Sequence, residues 1–416
     1  MRSNISQIIL LSLFSLIMLD SMFTYLLSNL LGVNLPVNAF IPVLILLSMI
    51  FTGIRIYIPP LRIIFYILIM MFGFFIGMII LKEVDAINQT KKIATAIIAF
   101  SVGYATIYNS QDEKQLTKYL TFIGTIYIVI CSIAVLKILP SYFPIKNHIR
   151  SEGWSLIARP EVTTDQNFQI FYLVPAILGM AIANSIKKYF FYFLLLCGAA
   201  LVLAKLQTRS GIIYIVFTLF MAWISPWLKG HFDFRKMVVI PAIFLVIAII
   251  KIDAVISASE LLISRFTNDD YHNAIGRIFS AEYLFINLFN PSHWLPYGQT
   301  AFLKAHGGIP HFNPTGVYLQ GGIISLIGLI LLQLIPTIKG GILFIKGQLD
   351  NISIVAFIGG ASIFAISLSL NVVFHDQVWL WNGALIAALM RKRVFKNTQT
   401  TSYSQSTTAK NEGYVS

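Results

Sequence analysis

This sequence predicts an all-α polytopic membrane protein of about 12 transmembrane helices. Three observations predict it. Hydrophobic residues make up 57% of the 416 and charged residues only 11%, where soluble domains run near half apolar and about a quarter charged. Mean hydropathy is +0.78. The apolar residues fall into repeated runs near the roughly 20 that a helix needs to cross the hydrocarbon core.

Taken in order, the runs are 5–29, 37–54, 63–82, 93–109, 119–139, 168–186, 189–204, 211–228, 237–252, 315–338, 351–371 and 377–390, the last being the shortest. The first follows Arg2 in the manner of a signal peptide. It is too long for that and lacks a small-x-small cleavage site, so it reads as a span. Phe, Ile and Leu dominate throughout, so periodicity does not separate a lipid-facing from a protein-facing side. No inverted repeat of the transporter kind is visible. Cys131 and Cys197 both lie inside apolar runs, and no zinc-type spacing exists.

Charge orients the spans. With both termini inside, the inner segments hold 17 of the 30 basic residues and five of the 17 acids. The formal charge of +13 is then almost wholly a topology signal. It carries no nucleic-acid motif, and no nucleic-acid partner is expected. Residues 1–396 form one membrane domain, and the polar segment 397–416 is a disordered inner tail. Two long connections, 140–167 and 253–314, fall on the outer face. Loops of this length carry structure or function. SASELLISRF and NAIGRIFSAEYLFINLF within the second read as short amphipathic helices lying on the membrane surface.

The candidate chemistry gathers on that outer face. In AKLQTRSGII, Lys205 and Arg209 sit in a tight turn between two spans. A guanidinium held there suits bidentate recognition of phosphate or pyrophosphate, or anchoring to lipid headgroups. Arg150 and Arg159 flank Gly153 and Trp154 in the first long loop. Arg265 and Arg277 lie in the second, around Asp269, Asp270 and His272. Two carboxylates without a third ligand are too few to predict a metal, and no cofactor is expected. The segment KAHGGIPHFNPTGVYLQGG ends that loop and runs into a span. Histidine titrates near neutrality, so His311 suits a general base, stiffened by Pro310 and Pro314, with Asn313 placed to orient the ring or a sugar. His306 and His293 are weaker candidates. Asp20, inside the first run, and Asp376, beside His375, are acids at membrane depth or its edge.

The LQTRSG turn, the arginine on a loop helix and the His-Asn-containing segment before GGIISLIGLI together resemble the bacterial O-antigen ligase/polymerase superfamily. His311 to Gly322 matches the family's spacing from histidine to a glycine-rich span start. The chain departs from the family in having His-Phe-Asn for adjacent His and Asn, so the two roles stay open between His311 and Asn313. It departs again in lacking a Pro-Asn pair in the first loop, where DQN stands.

The resemblance implies a GT-C-like fold in the bacterial inner membrane, with the long loops periplasmic. It implies metal-independent glycosyl transfer from an undecaprenyl-pyrophosphate-linked glycan. His311, Arg209 and Arg277 would be catalytic, with Arg150, Arg159, Lys205, Arg265 and Asn313 binding substrate. Partners would be the lipid-linked glycan, membrane lipids and a chain-length regulator. A polymerase joining repeat units is expected first, and a ligase to lipid A core second. A flippase or other carrier would concentrate polar residues at midplane, where Asp20 stands almost alone.

Overall fold

In the computed structural model, the residues described are 6–19, 41–53, 58–81, 86–110, 112–135, 146–148, 159–161, 178, 209–228, 271–306, 310, 312–368 and 375–391. Their regular elements are helices apart from one short ribbon. The helices are α1 (Ser6–Leu19), α2 (Ile41–Thr52), α3 (Leu61–Leu81), α4 (Ala86–Asn109), α5 (Glu113–Val135), α6 (Arg209–Leu228), α7 (Tyr271–Leu288) and α8 (Gln299–His306). After them come α9 (Asn313–Ile345), α10 (Asn351–Ser367) and α11 (376–391). The ribbon lies in the first long loop, where β1 (Lys146–His148) pairs antiparallel with β2 (Arg159–Glu161) and His148 stands opposite Arg159. Every other described element is helical, in line with the all-α expectation.

Among the described residues, α3 and α9 are long and apolar enough to cross a membrane. Helices also occupy the described parts of most of the other predicted runs. The runs 168–186 (Leu178 apart), 189–204 and 237–252, with Asp20 and the tail 397–416, lie outside the described residues.

Pro59 and Pro60 precede α3, and the Pro60 carbonyl accepts from Ile63 (2.8 Å) and Ile64 (3.2 Å), starting the helix. Composition alone does not tell the faces of α3 apart, but packing does. Ile63, Ile67, Met70, Gly73, Phe74 and Gly77 are buried, while Phe65, Leu68, Phe72, Phe75 and Ile79 are more than half exposed. The glycines mark the buried face, as small residues do where helices meet in lipid. A Cβ on Gly77 would lie 1.8 Å from the Gln320 carbonyl oxygen, and one on Gly73 2.3 Å from Ser325 Oγ. The backbones of α3 and α9 therefore nearly touch, and Ser325 Oγ donates across the seam to the Met70 carbonyl at 2.8 Å.

The short final run is deeply buried and packs against α1, α4 and α10. From Val378 to Ala388 almost every residue of α11 is buried. A Cβ on Gly383 would lie 2.1 Å from the Phe100 carbonyl oxygen, and one on Gly103 1.9 Å from that of Leu380, so α4 and α11 interlock. Trp381 meets Phe14 of α1 edge-on at 5.3 Å and covers Gly359 of α10.

The helix ends sort into two groups. Gln7, Ser110, Glu113, Asp350, Asn351 and Arg391, all at the predicted inner side or flanking it, meet at one end. Gly77 and Gln320, with Pro296, meet toward the other, as do Thr95 and Asp376. Buried Arg391 closes the first end. Its Nη1 donates to the carbonyls of Ile107 (2.9 Å), Tyr108 (3.3 Å) and Ser110, where α4 runs out of helical partners. Its Nη2 reaches Asp350 Oδ2 at 3.2 Å, while Asp350 Oδ1 caps α10 by accepting from Ser353 N at 2.7 Å.

Candidate functional site

The end of the bundle opposite Arg391 is built around a broken helix. A straight helix of 33 residues would run about 50 Å, well beyond the roughly 30 Å of a hydrocarbon core. α9 breaks at Gly322, where φ is 64° and ψ is −164°, a region open only to glycine. A break leaves backbone groups without helical partners, and in a dry surrounding these must be satisfied. The segment Trp294–Gly298 satisfies them. Ile323 N donates to the Trp294 carbonyl at 3.0 Å, while the Leu319 carbonyl accepts from Tyr297 N (3.0 Å) and Gly298 N (2.8 Å). A Cβ on Gly322 would lie 2.5 Å from the Trp294 carbonyl oxygen, so glycine is required by space as well as by dihedral.

The helix from Ile323 to Ile345 is thus separated from a short helix starting at Asn313. The predicted span 315–338 is corrected here: it contains the break, then a π-helical stretch, Ile330–Leu334, and continues to Ile345. The π-helical stretch precedes Pro336, which has no N–H to donate to an i−4 carbonyl.

α7 packs on the first segment of α9, before the break. Thr315 Oγ1 donates to the Ser280 carbonyl at 2.6 Å. Tyr318 Oη donates to the carbonyls of Asn287 (3.4 Å) and His293. Leu284, Tyr318 and Leu326 form a small apolar core beneath. Pairing of Ser280 with Thr315, then of Asn287 with Tyr318, means that α7 and α9 run in the same direction here. The predicted helix NAIGRIFSAEYLFINLF is therefore present as α7, with a packing partner as well as an outer face.

α8 was not predicted. Its only buried residue is Phe302, whose ring contacts Tyr283 (5.0 Å) and His306 (4.7 Å). His306 also meets Phe279 at 4.9 Å and Tyr283 at 5.5 Å. This cluster clamps α8 onto α7, so His306 takes part in ring packing. Burial, and then the neighbouring Tyr297, hold the Tyr283 phenol above its ordinary value. It stays a neutral donor at neutral pH. His293 falls in an exposed 3-10 turn, Pro291–His293, capped by Asn290.

The sequence-predicted residues divide as follows. Asn313 begins α9 and is fully buried, after an extended Phe312 and before Pro314. Arg277 lies on α7, three residues before Ser280. Ser280 and Thr315 bond directly, so the parallel packing carries Arg277's position in the backbone toward the start of α9. Arg209 is the first residue of α6, at the end away from Leu228. α6 meets α10 through Thr218 and Ser362, 2.6 Å apart. Arg159 falls in β2. His311, Arg150, Lys205 and Arg265 lie outside the described residues, as do Asp269 and Asp270. Asp376 accepts from Thr95 Oγ1 at 2.9 Å, joining α11 to α4.

Sequence reasoning missed Gln320, which is 5% exposed and whose Oε1 has no hydrogen-bond partner. It sits two residues before the break. The Gly321-Gly322 pair beside it was the available signal. No protein-family model matches the chain, and no curated relative matches it in sequence.

Proposed function

We propose that this chain is a glycan polymerase of the bacterial inner membrane. It joins undecaprenyl-pyrophosphate-linked oligosaccharide units at the periplasmic face, within a GT-C-like bundle of about 12 spans. The observation that carries the reading is the parallel docking of α7 on the first segment of α9 through Ser280 and Thr315. It supports grouping Arg277 with Asn313, and with His311 two residues earlier in the chain.

In the proposed reaction the acceptor sugar hydroxyl gives its proton to the His311 imidazole. Its oxygen bonds to the donor's anomeric carbon as the bond from that carbon to the pyrophosphate oxygen breaks. The lipid pyrophosphate leaves with the electron pair. Arg277 and Arg209, supported by Arg150, Arg159, Lys205 and Arg265, neutralise the charge gathering on it. Asn313 orients the base or the sugar. Lipid-linked donors present their reactive bond at the membrane surface, and that accounts for a polar, glycine- and proline-rich segment at the mouth of an apolar helix.

Surface-glycan electrophoresis tests this in a strain lacking the gene, complemented at matched expression. The deletion strain is expected to lose the ladder and retain single repeats on the core. His311→Ala is expected not to restore the ladder, since removing a general base costs about 10²–10⁴ in rate. Loss of all core-attached glycan would replace polymerase by ligase. An unchanged ladder would overturn both.

A further inference from the structure

The outer cap of the bundle leaves a run of large apolar side chains uncovered. Phe285, Ile286 and Phe289 of α7, with Trp294 and Leu295 of the turn that follows, are all exposed, Phe289 at 81% and Leu295 at 62%. One turn earlier on α7 the exposed residue is the charged Glu282, so this apolar run does not continue through it. Isolated exposed apolar residues are ordinary, but a contiguous set marks an interaction surface.

Its height relative to α3 identifies what covers it. Pro296 follows Leu295 directly and packs at Gly77, where a Cβ would lie 3.5 Å from Pro296 Cγ. Gly77 is four residues inside the end of α3 at Leu81, about 6 Å along the axis. The side chains of α3 remain apolar and exposed through Ile79 and Ile80. The turn therefore sits level with the last apolar turn of α3, and the two surfaces are continuous in height. Trp294 and Tyr297, rings with a polar handle, are of the type that lines membrane–water boundaries.

From this height match we infer that Phe285, Ile286, Phe289, Trp294 and Leu295 form a wedge inserted into the outer-leaflet lipid surface. The first half of α7, which carries Arg277, stands clear of the hydrocarbon. The inference rests on the membrane reading above and adds a depth to it. The start of α9 is held at the lipid–water boundary by the same turn that fills the break at Gly322.

Nitroxides attached at cysteines replacing Phe289, Leu295, Lys304 and Leu68 test it, in protein with Cys131→Ser and Cys197→Ser reconstituted into phosphatidylglycerol–phosphatidylethanolamine bilayers. Phe289 and Leu295 are expected to be relaxed by oxygen more than by a water-soluble nickel chelate, and Lys304 the reverse. Nickel access at Phe289 and Leu295 equal to that at Lys304 overturns the wedge, and so does low access to both relaxants, which means protein covers them. Leu68, midway along exposed α3, separates the two claims. If it too is open to nickel, the membrane reading fails. If it lies in lipid while Phe289 does not, the wedge alone fails. Should the cysteine variants not fold, the fluorescence difference between unmodified protein and Trp294→Phe isolates Trp294. Quenching by lipids brominated near the headgroup supports the wedge, and quenching by aqueous iodide instead overturns it.

Discussion

The two ends of this bundle solve the problem of unpaired helix termini in opposite ways. At the Arg391 end, one guanidinium gathers three carbonyls of α4 and the cap of α10. Every group involved is a side chain or a helix end meeting its neighbour. At the α7–α9 end a helix is broken in mid-course and backbone from a distant loop fills the break. The first arrangement fixes helices against each other. The second holds a loop in place, and the loop carries the residues proposed for chemistry. On the proposed function, stability and chemistry separate along the axis of the molecule, and variants at each end sharpen or break that separation.

The largest expected effect is at Arg391. Arg391→Leu leaves three carbonyls and Asp350 without their partner. Breaking a buried ionic cluster this way costs about 3 kcal/mol, taken at the low end because Asp350 is 41% exposed. Purified in detergent, the variant is expected to lose its monodisperse peak at a markedly lower temperature. Activity per folded molecule should be unchanged.

Gly322→Ala is expected to show the reverse. Forcing a side chain into this dihedral costs about 1–3 kcal/mol, and the new Cβ meets the Trp294 carbonyl. The cost falls on the docked loop, so protease nicking within 291–298 should rise and glycan assembly fall, while the folded yield stays near normal. Ser325→Ala removes one hydrogen bond across the α3–α9 seam, for about 1 kcal/mol, read in the same thermal assay. The smallest effect belongs to the Thr218–Ser362 contact. A double-mutant cycle with Thr218→Val and Ser362→Ala is expected to give a coupling of about 0.6 kcal/mol, the average for such bonds in membrane proteins.

Regular elements were legible where one property sufficed. The run 63–82 became α3 at Leu61–Leu81, and NAIGRIFSAEYLFINLF became α7, because apolar length and turn residues determine both. The shortest run, 377–390, proved almost wholly buried. Its Gly383 and the facing Gly103 and Gly359 permit contacts that hydropathy does not record. The same blindness hid the buried face of α3, marked by Gly73 and Gly77. The break at Gly322 was not legible because its reason lies elsewhere, in the backbone of Trp294–Gly298. α8 escaped because eight residues around the single buried Phe302 give too short a pattern to read. Arg391 read only as inner-side charge, since its partners come from α4 and α10.

The most direct test of the central claim is glycan assembly by the purified chain in proteoliposomes supplied with undecaprenyl-pyrophosphate-linked repeat units. The account predicts products longer than one repeat with release of lipid pyrophosphate, abolished by His311→Ala and sharply reduced by Gly322→Ala, but retained per folded molecule in Arg391→Leu. Movement of the lipid-linked substrate across the bilayer with no new glycosidic bond would contradict it.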